Sequence, residues 1–543
     1  MKSILIIGGV AGGMSAATRL RRLDPEASII VLERSGHVSY ANCGLPYFVG
    51  GVIEDHDALL LQTPESLHAR FRLDVRVNHD VLSVNAEEKY IVVRDMLAGT
   101  ESQYPYDYLV MSPGALPVVP PLPGIELAYT LRTVEDVDRI ALAVSKKPEK
   151  AVVVGGGFIG LETAENLHHK GIQTTIVEAM DQVLAPLDPE MATLVAAELT
   201  GHGIELRLGS GIASVDAGGV HLANGAYLPA DLVILAIGVK PDTSLAKSAG
   251  VTIGERGGIQ VDQHNRTSNE WIYAIGDAAE KRDALDGSAT LVPLANIANR
   301  QGRVIADQIM GRATRVVPTI GTAIVKVFDL AIAVTGWNEK RLRASGREIL
   351  VLHSHPGSHA GYYPGAKTMA LKIIIDPTTG LILGAQGVGK DGVDKRIDVI
   401  ATAIRAGLEA VELADLELAY APPFGSAKDP VNMLGYMAEN ILSGLTSNVQ
   451  WSDIAALKSK GSYLLDVRSA KEFAEGSIPG AINIPIDDLR ERISEIPKEH
   501  VVVLCQVGQR GHTATVLLRE QGVDATNLDG GYLTWKNSPA RVA

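Results

Sequence analysis

Residues 3–7, SILII, form a short apolar run, and glycines at 8, 9, 12 and 13 follow it. A helical stretch from Met14 to Leu23 comes next, and then a second apolar run that ends at Glu33. That order predicts a strand, a tight turn, a helix and a second strand. The same grammar recurs at 151–178: AVVVGGGFIG, a helix through Lys170, and the strand TTIVE ending at Glu178. Two such units predict an α/β chain with two nucleotide-binding halves.

Short strand signals lie around 75–94 and 204–235, separated by Gly and Asn turns. From about 321 to 445 strands and helices mix, with a Pro/Gly-rich loop at Tyr420–Gly425. The small polar stretch SGLTSNVQ at 443–450 reads as a linker, and the residues beyond it are the size of a small independent domain.

Length and charge sharpen this picture. At 543 residues the chain exceeds one core, and its 46% hydrophobic and 21% charged residues are those of a globular protein. A net charge of −13 argues against a nucleic-acid or acidic-membrane binder, while leaving room for a local anion site. No apolar run reaches the ~18–20 residues needed to span a bilayer. The start MKSILIIGGVAGG superficially looks like a signal peptide, but an Arg-rich helical stretch follows, so it reads as strand and turn. A cytoplasmic protein is expected. With only two cysteines, Cys43 and Cys505, a disulfide framework and Cys-rich metal sites are excluded. His500 and His512 lack partners at ligand spacing, so no metal site is expected.

The second glycine loop is a complete dinucleotide fingerprint, Gly155-x-Gly157-x-x-Gly160, with Glu178 placed 18 residues on to accept from ribose hydroxyls. An acid there repels a 2′-phosphate, so NADH is favoured, with NADPH left open. The first loop, Gly8-Gly9-Val10-Ala11-Gly12-Gly13, has valine at the middle position, and Glu33 follows 20 residues after Gly13. LVMSPGALP (109–117, with Ser112 and Gly114) and LAIGVKPD (235–242, with Gly238) look like the strand-to-crossover segments of two-dinucleotide flavoprotein reductases. IYAIGD (272–277) resembles the flavin motif whose aspartate, here Asp277, holds the ribityl chain. FAD is therefore expected on the first unit and NADH on the second, with Arg34 and Asn42 as further cofactor contacts.

Cys43 sits in SYANCGLPY (39–47) with no second cysteine nearby, so its redox partner must be external: a small disulfide, a persulfide, or an oxygen species giving a sulfenate. A thiolate beside a flavin, stabilised by nearby N–H groups, is a reasonable relay. GGVAGG, SYANCGLPY, VVGGGFIGLE, AIGDA, NRQGR, YYPGA and YAPPFGSAKD, spread over residues 1–445, together resemble the single-cysteine flavoprotein disulfide reductases. That family includes CoA-disulfide reductases and peroxide- and oxygen-reducing NADH enzymes. The resemblance to the CoA branch implies that Ser15, Arg19, Arg22, Ser39, Asn42, Asn299 and Lys428 contact CoA or its disulfide. It also implies a homodimer in which Tyr362 or Tyr363 and Tyr420 come from the other subunit to a shared active site. One departure is visible: the loop reads APPF where many CoA-disulfide reductases have APPY, so Phe424 lacks a hydroxyl that could assist thiolate departure.

Cys505 follows the strand VVVL (501–504) and opens the loop Cys505–Arg510, ahead of a helix expected over His512–Glu520. Converging N–H groups and Arg510 would stabilise its thiolate. With LLDVRSAKEFAEGSIPGAINIP (464–485) and LDGGYLTW (528–535), the segment resembles a rhodanese domain, and a six-residue loop is the length of persulfide-carrying sulfurtransferases.

These readings imply an α/β protein of two Rossmann-like dinucleotide-binding domains, an α+β dimerisation domain and a C-terminal rhodanese α/β domain. The expected boundaries are 1–115 with 240–320 for FAD, 116–239 for NADH, 321–445 for dimerisation and 451–543 for rhodanese. The expected activity is reduction of CoA persulfide, polysulfide or CoA disulfide at Cys43, with sulfane sulfur handled at Cys505. Competing readings are an NADH oxidase or peroxidase cycling Cys43 through a sulfenate, and a sulfur-carrier or redox-sensing interaction protein.

Overall fold

The computed structural model describes residues 2–315 and 317–541. Its contacts divide the chain into two compact units, residues 1–181 with 204–319 and residues 182–203 with 320–543.

In the first unit the strand Ser3–Ile7 lies between Ser28–Leu32 and Tyr108–Met111 in a parallel sheet, completed by Asp74–Arg76 and Ile272–Ala274 at the edges. Ile4 and Ile6 pack into one core cluster and Leu5 and Ile7 into another. A strand covered on both faces reads as an unbroken apolar run, which is why SILII does not alternate. The helix Ala11–Leu23 buries Met14, Ala16, Ala17 and Leu20 on the Ile4 face. It begins three residues earlier than expected, because its glycines are part of the first turn. A second parallel sheet runs Glu205–Arg207, Gln173–Val177, Lys150–Val154, Leu232–Leu235, Tyr129–Thr130, and the helix Phe158–His169 follows its central strand.

The second unit holds an antiparallel sheet in the order Ala323–Val327, Leu330–Gly336, Ile382–Gly389, Met369–Ile375, Leu350–Ser354. Helices Val393–Ala406 and Pro430–Leu442 share its core. The helix Pro189–Gly201, which lies in sequence within the segment expected to bind NADH, belongs to this unit. A further parallel sheet runs Asn448–Val449, Ala525–Leu528, Val501–Leu504, Tyr463–Asp466, Ile482–Asn483. Asn448–Val449 is its edge strand, so the linker expected at 443–450 narrows to 443–447. Among the described residues no helix is long and apolar enough to cross a membrane.

Candidate active sites

The two glycine loops are built alike. Gly8 and Gly155 sit in the left-handed region at φ +95° and +113°, and a Cβ at Gly13 or Gly160 would lie 1.9 Å from the carbonyl oxygen of Gly8 or Gly155. Side chains are excluded at all four positions. Each acid closes its loop in the same way. Gly9 N donates to Glu33 Oε2 (2.8 Å) and Ser35 N to Oε1 (2.9 Å). Gly156 N donates to Glu178 Oε2 (2.7 Å) and Met180 N to Oε1 (2.9 Å). The N-caps Val10 and Gly157 give no side-chain hydrogen bond, which leaves first-turn N–H groups for an anion. A Cβ on Gly157 would meet no protein atom within 4 Å, as a cradle for a pyrophosphate requires.

A cleft of about 980 Å³ opens over the first loop. Its walls bring together Gly8, Ala11, Gly12, Ser15, Glu33, Arg34, Ser39, Asn42, Cys43, Ser112, Gly114, Asp277 and Asn299, residues up to 291 positions apart in sequence. Ser15 Oγ donates to Asn299 Oδ1 at 2.7 Å, which joins two expected CoA contacts. Gly9 and Gly13 belong to the loop itself, and Gly238 (φ +111°) lies just before the strand Val239–Pro241. Arg19 and Arg22 are not on the cleft wall. Arg19 bonds Asp307 Oδ1 at 2.8 and 3.2 Å, which neutralises the charge expected to meet a CoA phosphate, whereas Arg22 is exposed.

Cys43 occupies the 3-10 turn Asn42–Gly44, which leads into the short helix Leu45–Val49, and its side chain reaches solvent. Partial burial of the sulfur pushes the thiol above its ordinary pKa, Glu162 adds to this, and Arg132 opposes it. The charge that favours the thiolate here is the Arg132 guanidinium. Sequence reasoning missed Arg132. Its Nη2 donates to Asp277 Oδ2 (3.1 Å) and its Nε to Ala115 O (3.1 Å). With the Asn42 amide oriented to satisfy both its atoms, Nδ2 donates to Arg132 O (2.9 Å) and Oδ1 accepts from Nη1 (2.7 Å). Arg132 therefore ties the flavin-motif aspartate to the residue preceding Cys43. The only local hint is its place one residue before the Thr133–Asp136 capping box.

Glu162 was missed as well, although it lies inside the quoted VVGGGFIGLE. Tyr47 OH donates to Glu162 Oε1 at 3.2 Å, linking the Cys43 segment to the helix of the second glycine loop. Burial pushes the Glu162 carboxyl up to about 7, with the Tyr47 hydrogen bond opposing and Glu165 adding.

In the second unit, Tyr362 OH and Tyr420 OH lie 3.0 Å apart, and Tyr363 packs edge-on to His359. The loops that carry them are tied together: Ala360 N donates to Gly425 O (2.9 Å), and buried Arg396 donates to Ser358 O (2.9 Å) and Asp429 Oδ2 (2.9 Å). The result is an exposed aromatic patch, with Tyr362 77%, Phe424 71% and Tyr420 47% accessible, flanked in sequence by exposed Lys428. Side chains this apolar and this open on rigid loops are suited to contact with a partner surface.

Cys505 lies at the end of Val501–Leu504, fully buried, and accepts from Gly508 N at 3.2 Å. Gly508, at φ +92°, caps the helix Gln509–Glu520, which therefore starts three residues before the expected His512. Arg510 donates to both oxygens of Glu472 (2.8 and 2.6 Å), and this pair holds the Glu472 carboxyl down to about 2. Buried Arg468 is clamped by Asp466, reaches Gln506 Oε1 at 3.2 Å, and lies 4.2 Å over the Tyr532 ring. The loop thus gives the sulfur a backbone N–H from Gly508, while Arg468 and Arg510 are each paired with a carboxylate.

Three comparisons bear on these sites. Residues 2–302 match the pyridine nucleotide-disulphide oxidoreductase model, 322–430 its dimerisation domain, and 451–538 the rhodanese-like domain. The coenzyme A disulfide reductase of Staphylococcus aureus is 34% identical over 441 residues, covering 81% of this chain and 100% of that protein. The reduced CoADR-RHD protein of Bacillus anthracis is similar with TM-score 0.97 and 47% identity, covering 99% of this chain and 98% of that one. A NAD-dependent persulfide reductase from A. fulgidus aligns with TM-score 0.92 and 38% identity, over 98% and 100%. The chain belongs to the pyridine nucleotide-disulphide oxidoreductases, as a member that carries a dimerisation domain and a C-terminal rhodanese-like domain.

Proposed function

We propose that the protein is an FAD-containing, NADH-dependent reductase of CoA persulfide, polysulfide or CoA disulfide, joined to a rhodanese sulfurtransferase. The observation that carries this reading is a lone cysteine on the wall of the dinucleotide cleft and a second one, alone, in a loop of sulfurtransferase length. FAD would be held by the first loop, Glu33, Ser112 and Asp277, and NADH by Gly155–Gly160, Glu178 and Gly238. When bound, the two cofactors supply an electron pair to the cleft.

Cys43 Sγ then works as a nucleophile. With a CoA persulfide it attacks the outer sulfur, the CoA–S bond to that sulfur breaks, CoA thiolate leaves, and Cys43–S–SH remains. An electron pair placed in that S–S bond gives the Cys43 thiolate and HS⁻. With CoA disulfide the intermediate is Cys43–S–S–CoA, which the electron pair cleaves to two thiolates. Arg132 favours the thiolate of Cys43, and the Tyr362–Tyr420 hydroxyl pair, contributed by the other subunit of a homodimer, would stabilise the departing sulfur. Cys505 would take up or deliver sulfane sulfur, which favours persulfide over disulfide as substrate. Two unpaired cysteines suit a reducing, cytoplasmic compartment.

The peroxidase or oxidase reading draws support from Arg19, whose charge is spent on Asp307. NADH consumption with CoA disulfide, CoA persulfide, polysulfide, peroxide and oxygen separates the two, in wild type, Cys43→Ser and Cys505→Ser. Sulfur substrates should exceed peroxide and oxygen, and Cys43→Ser should abolish sulfur turnover. Peroxide or oxygen turnover above every sulfur substrate, or full sulfur turnover in Cys43→Ser, rejects the proposal. Full activity of Cys505→Ser with free persulfide would show that the two domains act separately.

A further inference from the structure

The strand Met369–Ile375 reads MALKIII, and its lysine is fully buried. Lys372 Nζ lies 3.0 Å from Asp188, 2.6 Å from Glu190 and 2.7 Å from Glu339, so an ammonium already fills the space among these three carboxylates. Glu190 Oε1 also lies 3.0 Å from Nε2 of His353 on the neighbouring strand Leu350–Ser354. The other ring nitrogen, Nδ1, lies 2.6 Å from Asp529 Oδ2, and His353 N donates to the same carboxylate at 3.0 Å. A histidine with a carboxylate at each nitrogen is a donor on both sides, an imidazolium.

Asp529 directly follows the strand Ala525–Leu528 of the rhodanese sheet, and the turn it begins builds the back of the sulfur site. Tyr532 N donates to Cys505 O (2.7 Å) and Leu533 N to Gln506 O (2.9 Å). The fit is close on both sides of the turn. A Cβ on Gly530 would come within 2.8 Å of His353 Cβ, and one on Gly531 within 2.5 Å of Cys505 O and 2.7 Å of Gly508 N. A second tie runs beside it, with His355 Nε2 2.7 Å from Thr534 Oγ1.

We propose that His353, on the dimerisation sheet, is a positioning residue for the sulfurtransferase site: it fixes Asp529, and Asp529 fixes the Gly530–Leu533 turn that holds the Cys505 loop. Sulfur handling at Cys505 then depends on a residue outside the rhodanese domain. The proposal rests on the reading of Cys505 as a sulfur carrier, and its test keeps the two apart.

The test uses the full-length protein with His353→Gln and Asp529→Asn. In the sulfurtransferase assay the Cys505 thiolate takes the sulfane sulfur of thiosulfate as Cys505–S–S⁻ and releases sulfite, and cyanide removes that sulfur as thiocyanate. Both variants should lose about ten- to a hundred-fold of this activity, the range for removing a group that orients a functional ligand, while NADH-dependent reduction of CoA disulfide stays within about twofold. The second readout is the rate of iodoacetamide alkylation of Cys505 at a fixed pH in a Cys43→Ser background. Cys505 is fully buried, so a loosened loop should expose the sulfur and speed alkylation about threefold or more. Wild-type transfer rates and a wild-type alkylation rate in either variant overturn the proposal. Parallel loss of reductase and sulfurtransferase in both variants overturns it too, because a general folding role would then account for everything. Should wild type transfer no sulfur to cyanide, the carrier reading fails by itself, and the alkylation arm still decides the positioning role.

Discussion

Replacing Lys372 with methionine keeps the length and bulk of the side chain and removes only the charge. Asp188, Glu190 and Glu339 have carboxylate oxygens within 4.8 Å of one another, and Lys372 is the ammonium among them. Burial pushes Glu190 up, but Lys372 and His353 overcome it and hold the carboxyl well below the usual range. Stripping one partner from a buried ionic cluster costs about 3–5 kcal/mol. With a slope of ~4 kcal/mol per molar guanidinium, the unfolding midpoint should fall by about 1 M. Three of the four tryptophans, Trp337, Trp451 and Trp535, lie in the second unit and Trp271 in the first, so tryptophan fluorescence in a Trp271→Phe background reports the unfolding of the second unit. The share of the pH dependence carried by these carboxylates should also reverse. In wild type the depressed Glu190 contributes stability at neutral pH that is lost only as the solution is acidified through its folded pKa. In Lys372→Met the crowded carboxylates are pushed up, so the variant should gain stability relative to wild type as pH falls from 8 to 5. A midpoint within about 0.2 M of wild type at pH 7.5, or a difference from wild type that does not shrink between pH 8 and 5, would refute this reasoning.

Three further outcomes are expected. Glu178→Ala should raise the ratio of NADPH to NADH kcat/KM roughly tenfold or more, the worth of a charged hydrogen bond lost to one coenzyme and a repulsion relieved for the other; steady-state kinetics with both coenzymes checks it. Glu162 has its folded pKa raised to about 7 by burial, so its contribution to stability is intact below its unfolded pKa and declines as pH rises to 7. Glu162→Gln should flatten the denaturation midpoint between pH 5 and 8, removing a wild-type decline of ~3 kcal/mol at most. Arg132→Met should move the pH midpoint for Cys43 alkylation upward, measured in a Cys505→Ser background, because Arg132 is the charge that pulls this thiol down.

The parts of this molecule that were legible in the sequence are those set by neighbours in the chain. Gly13 and Gly160 are forced by the backbone of Gly8 and Gly155 five residues back, Gly8 and Gly155 adopt the left-handed backbone of the turn itself, and Glu33 and Glu178 directly follow strands whose apolar runs are plain to read. The Cys505 loop, framed by Val501–Leu504 and its helix, was legible for the same reason. Helix starts at Ala11 and Gln509 were placed too late because glycine weakens a helical pattern even where it begins one. Arg132 acts through Asn42 and Asp277, 90 and 145 residues away, and no local pattern announces such a contact. The ionic cluster draws on positions 188, 190, 339, 353, 372 and 529, and its only trace in the chain is a lysine in the middle of MALKIII. Arg19 shows the converse: an arginine that looks available beside its neighbours is already paired with Asp307.

The pairing of Asp529 with His353 also bears on how such a chain is inherited. A rhodanese-like domain grafted from another source onto residues 1–447 would bring its own residue to position 529, and anything uncharged there would leave the Nδ1 side of a buried imidazolium without its carboxylate, with Glu190 alone on the other side. Recombination at the short linker is therefore silent only when both sides already carry the matching pair, and the two modules are bound to diverge together.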